Sequence, residues 1–101
     1  MAAYKAPLRD IRFLLNNVFD AGELFASMPD TAEITDDLIA AIVEEAGKIA
    51  EGLLAPINSS GDAEGCHFEK GTVTTPKGFK QAYKAFADGG WPSLTGDVNY
   101  G

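Results

Sequence analysis

Cys66 and His67 are the only cysteine and the only histidine of the 101-residue chain, and they are adjacent. A thiolate beside an imidazole is metal-binding chemistry, but a structural zinc site takes about four ligands at recurring spacings. With one of each, the pair reads as structural. A cysteine nucleophile fares no better, because its base would have to be the very next residue, whose side chain normally points elsewhere. Asp30, Glu33, Asp36 and Asp37 offer oxygen ligands, yet no frame supplies both the sixth-position glycine and the twelfth-position glutamate of a calcium loop. Helix-start electrostatics account for Asp36 and Asp37 instead. Lys77, Lys80 and Lys84 fall on one side of a helix and could receive a phosphate or carboxylate, although a solvated face is the simpler reading. Gly89-Gly90 has no following lysine and succeeds a helix rather than a strand, so it is not a phosphate loop. No catalytic residue and no metal site is assigned.

The elements that would position these residues are mostly helical. In PLRDIRFLLNNVFD, Leu8, Ile11, Leu15 and Val18 recur at helical spacing with Leu14 beside them, and Arg9, Arg12 and Asn16 take the other side. This predicts a helix over 8–19 with Pro7 in its first turn. AGELFASMPDTAEI breaks the period, with Gly22 and Pro29 as punctuation, and reads as a turn holding a short helical piece. Thr35 opens the strongest element as a capping hydroxyl. Leu38, Ile42, Ala46, Ile49 and Leu53 form its stripe, widened by Ile39, Val43, Ala50 and Leu54. Glu44 and Lys48, one turn apart, make a favourable pair worth about 0.3 kcal/mol. Pro56 should end or kink the helix near Ala55. NSSGDAEG then reads as a loop.

From Cys66 the period approaches two, and Lys70-Gly71 marks the turn of an irregular hairpin. Thr75-Pro76 reads as a helix start, cap followed by first-turn proline. The helix KGFKQAYKAFAD carries Phe79, Tyr83 and Phe86 on one face, and Gly89-Gly90 stops it. The expected fold is mainly α: about three main helices, an irregular hairpin and a tail.

Composition limits the function further. Hydrophobic residues make up 46% and charged residues 23%, which is ordinary for a chain that folds. At this length about two thirds of the unfolded surface is buried, so a large cleft would need further protein to complete it. The net charge is −7, and residues 20–64 hold eleven acids against one base, Lys48. Such a surface repels phosphate backbones and anionic lipid, so neither nucleic acid nor membrane is an expected partner. A lone cysteine excludes an internal disulfide, and no apolar run reaches the roughly 20 residues of a membrane span. The expected compartment is the cytoplasm.

Three blocks carry a family resemblance. They are YKAPLRDIRF from Tyr4 to Phe13, LAPINSSGDAEGC from Leu54 to Cys66, and TPKGFKQAYK from Thr75 to Lys84. In this order and at these separations they resemble the N-terminal region of acyl-CoA dehydrogenases, in the long-form branch typified by the 3-methylmercaptopropionyl-CoA dehydrogenases. Ser93 and Val98 depart from the pattern, standing where relatives often have glycine and proline. The resemblance implies a helical extension over 1–34 and the first part of the N-terminal α-domain over 35–101. It also implies that the frame runs on past Gly101 into a middle β-domain.

By the same resemblance, the parent enzyme is a flavoprotein of fatty-acid metabolism that removes hydrogens from the α and β carbons of an acyl-CoA. A carboxylate in a later domain takes the α-proton, FAD accepts the β-hydride, and electrons pass to an electron-transferring flavoprotein. No cofactor is expected for the isolated chain, and Glu44 and Glu45 are not assigned the base's role. Its partners are the remainder of the parent dehydrogenase and, through exposed apolar side chains, a possible homo-oligomer. The expected interface is Phe79, Tyr83, Phe86 and Trp91. The alternative is a stand-alone acidic helical interaction module. An acyl-carrier protein fails on the missing Asp-Ser-Leu attachment sequence.

Overall fold

The structure is a computed structural model that describes residues 3–100. Gly101, where the resemblance implies a continuing frame, lies outside the described residues. The fold is mainly α, with one two-stranded antiparallel sheet. Contacts divide the chain into two compact units, Met1–Glu51 and Gly52–Gly101. The 34/35 division implied by the resemblance concerns relatives and not contacts.

In the first unit, α1 (Leu8–Arg12) runs into a π-helical stretch, Phe13–Val18. Pro7 lies just outside the helix, one position before its expected place, and its carbonyl accepts the Ile11 N–H at 3.0 Å. The wider turn is visible in the Phe19 N–H, which donates to the Leu14 carbonyl five residues back at 2.9 Å. A turn that uses more residues rotates each of them less. Leu8, Ile11 and Leu15 therefore stay half-buried while Val18, expected on their face, is turned out to solvent.

The expected short helical piece is α2 (Ala21–Ala26), followed by a 3₁₀ turn over Pro29–Thr31. The Thr31 hydroxyl ties the two by donating to the Phe25 carbonyl at 2.9 Å. α3 (Asp36–Ile49) begins as its residues dictate: the Thr35 hydroxyl accepts the Leu38 N–H at 3.2 Å, with Asp36 and Asp37 in the first turn. Its buried line runs through Ile39 and Gly47 with half-buried Val43 between them, whereas Leu38 is exposed. Ile42, Ala46, Ile49 and Leu53 of the expected stripe are half-buried, and Leu54 of the widening row is exposed.

Gly47 decides what packs there. A Cβ on it would meet Leu8 Cδ2 at 3.1 Å and the Ala6 Cβ at 3.4 Å, so the N-terminal arm lies directly on the helix. The Ala6 N–H also donates to Glu51 Oε1 at 3.0 Å, and Arg12 stands 3.9 Å from Glu44. Glu44 is therefore turned toward Arg12, and Lys48 pairs with Glu45 at 2.8 Å instead of with the expected Glu44.

In the second unit, near Ala55, where Pro56 should end or kink the helix, the helix changes form without ending. A π-helical stretch, Ala50–Leu54, leads into α4 (Ala55–Glu64) with Pro56 in the first turn. An α-helix would clash at Pro56 with the carbonyl four residues earlier, and widening just before it removes that conflict. NSSGDAEG, read as a loop, is helical as far as Glu64. Tertiary packing overrides its weak propensity: a Cβ at buried Gly61 would overlap the Phe79 ring, which occupies that space.

The hairpin is as expected. β1 (His67–Glu69) pairs with β2 (Thr72–Thr74), Phe68 opposite Val73, around a two-residue turn. Lys70 and Gly71 both have positive φ, 51° and 78°, as a type I′ turn requires. The last helix, α5 (Phe79–Asp88), starts later than Thr75-Pro76 suggests. Gly78 at φ 91° precedes it, and no side chain caps it. Pro76 is buried in the preceding turn, where its carbonyl accepts the Phe79 N–H at 3.2 Å. Gly89-Gly90 ends the helix as expected, with Gly90 left-handed before a 3₁₀ turn over Trp91–Ser93.

Candidate functional site

The residues with chemical potential are all at the surface. Cys66 and His67 are exposed at the start of the hairpin, just after Gly65 ends α4 with φ 70°. Among the described residues no group of three or more His, Cys, Asp or Glu is arranged to hold a metal ion. Lys84 is paired with Asp88 at 2.6 Å. Lys77 contributes its backbone N–H to Glu64 Oε2 at 3.0 Å, and its side chain, like that of Lys80, is exposed.

Two groups have shifted proton affinities. Lys48 holds its proton more tightly than usual because Glu45 bonds it, reinforced by the charge of Glu45 and then of Glu44. The Glu23 carboxyl is raised by its hydrogen bond to Asp20 and then by that residue's charge. Both are solvated pairs. No buried polar or charged residue is present among the described residues.

What the surface does present is apolar. Of the four residues expected to form an interface, Phe79 lies with its ring on Gly61 and is 37% exposed, and Trp91 folds its indole against Gly89. Phe86 is half-buried, on the flank of α5 that also holds buried Ala82. Tyr83 points outward at 67% exposure. The helical spacing that groups Phe79, Tyr83 and Phe86 is real, but the covered flank is buried Ala82 with half-buried Phe86, and both Phe79 and Tyr83 are exposed.

Sequence reasoning passed over a second apolar pair. Phe68 and Val73 sit opposite each other on one face of the hairpin and are both exposed. Their equal distance from Lys70-Gly71 is the signal that could have found them, since a two-residue turn forces such positions to pair. In the first unit Phe13, Val18, Phe19 and Leu24 are exposed as well.

Comparison with curated proteins finds similarity to an acyl-CoA dehydrogenase. That relative is the 3-methylmercaptopropionyl-CoA dehydrogenase of Ruegeria pomeroyi, 37% identical over 98 residues. The match takes in 97% of this chain but only 16% of the relative, so the chain corresponds to a small part of that protein's length. It agrees with the class and branch that the three sequence blocks resemble. No family model matches the chain.

Proposed function

We propose that this chain is the N-terminal structural segment of a flavin-dependent acyl-CoA dehydrogenase, packing against the rest of that enzyme and taking no part in proton or hydride transfer. One observation carries the reading. Among the described residues the buried hydrophobics are only Ala21, Ile39 and Ala82, whereas Phe13, Phe19, Leu24, Phe68, Val73 and Tyr83 are among many large apolar side chains left exposed. Apolar area on this scale marks an interface.

The parent enzyme acts on an acyl-CoA thioester, and FAD supplies its redox chemistry. No residue here is assigned to the flavin. The cofactor, the catalytic base and the docking of an electron-transferring flavoprotein belong to the remainder of the enzyme. Phe79, Tyr83, Phe86 and Trp91 form the edge that meets it, with Tyr83 the most available. No described helix is long and apolar enough to cross a membrane, and a cytoplasmic location accords with this reading.

The test is a chimera in which the matching stretch of the Ruegeria pomeroyi enzyme is replaced by this chain. The expected product binds FAD and reduces a dye acceptor in the presence of acyl-CoA, while the isolated chain with added FAD does not. A chimera that folds but neither holds flavin nor turns over would overturn the proposal in favour of the stand-alone interaction module.

A further inference from the structure

We draw no further inference here: the strongest candidate, the exposed apolar pair Phe68 and Val73 on the β1–β2 hairpin, carries nothing because nothing in the structure shows what covers it.

Discussion

Replacing Gly61 by alanine sets two opposing effects against each other inside α4. Glycine in a helix interior costs about 1 kcal/mol relative to alanine, so on propensity alone the substitution stabilises. The new Cβ, however, would occupy the space of the Phe79 ring, which must swing outward. Fully burying a phenylalanine is worth roughly 1.5–3 kcal/mol, and Phe79 is 37% exposed, so displacing its ring forfeits about 1–2 kcal/mol. The net effect of Gly61→Ala is a loss of about 0–1 kcal/mol. In a Phe79→Ala background nothing remains to displace, and the same change should stabilise by about 1 kcal/mol. The coupling between the two positions is therefore roughly 1–2 kcal/mol, within reach of a double-mutant cycle. Urea unfolding followed through Trp91, the only tryptophan, reports on the unit concerned. Gly52→Ala serves as reference, because a Cβ there meets nothing within 4 Å. If Gly61→Ala stabilised the wild-type chain as much as the Phe79→Ala chain, the ring would not be held by Gly61 and the argument would fail.

Glu51→Ala removes the acceptor of the Ala6 N–H; a hydrogen bond to a charged group is worth roughly 1.5–3 kcal/mol, so exchange of the Ala6 amide should accelerate about tenfold or more while amides of α5 keep their rates. Unchanged protection at Ala6 would mean that the arm is held by Leu8 and Gly47 alone. The isolated chain is expected to self-associate and to bind a hydrophobic dye, and Tyr83→Ser should weaken both with an unaltered far-ultraviolet spectrum; sedimentation of the two chains at equal concentration decides. Glu45→Gln should return the Lys48 ammonium toward its ordinary titration range, as read by side-chain NMR. Because the Lys48 affinity is raised in the folded chain, the pair's contribution is fully present below the unfolded pKa and disappears as alkaline pH passes the folded one.

Where local chemistry decides an outcome, it could be read from the residues. Thr35 followed by two aspartates makes a helix start wherever it lies, and Lys70-Gly71 between alternating segments makes a tight hairpin. The misplacements share a different cause. Pro56 can end or kink an α-helix, and here the π-helical stretch before it changes the helix's form and lets the helical residues continue. Val18 left its expected face for a related reason, since a period of 3.6 misassigns every residue beyond a π turn. Thr75-Pro76 had the composition of a cap, but the left-handed Gly78 delays the helix, and Pro76 is spent on the preceding turn. The interface residues were identifiable as apolar and aromatic. Which of them look inward depends on Gly61 and Gly89 leaving room for Phe79 and Trp91, a property of packing that no single helix reveals.

The glycines and the exposed aromatics together bear on why so acidic a segment should serve as a packing element. Its carboxylates are not gathered at one place: Asp36 and Asp37 serve the start of α3, Glu44 faces Arg12, Glu45 holds Lys48, and Glu51 binds the Ala6 amide. Glu44, Glu45 and Glu51 each have a partner within their own unit, so these three do not oppose the burial of a neighbouring apolar face with an unpaired charge. Tyr83 and the hairpin pair Phe68 and Val73 lie instead in residues 65–88, where four lysines outnumber two acids. Lysine stems can flatten over apolar surface while their ammonium groups stay in water, which keeps such a face soluble until it is covered. If that region meets the rest of a dehydrogenase, the surface it meets should be apolar at the centre and acidic at the rim. Lys80→Glu in the chimera should then slow assembly of the flavin-bound enzyme more at low salt than at high salt, whereas Glu45→Lys should have no such effect.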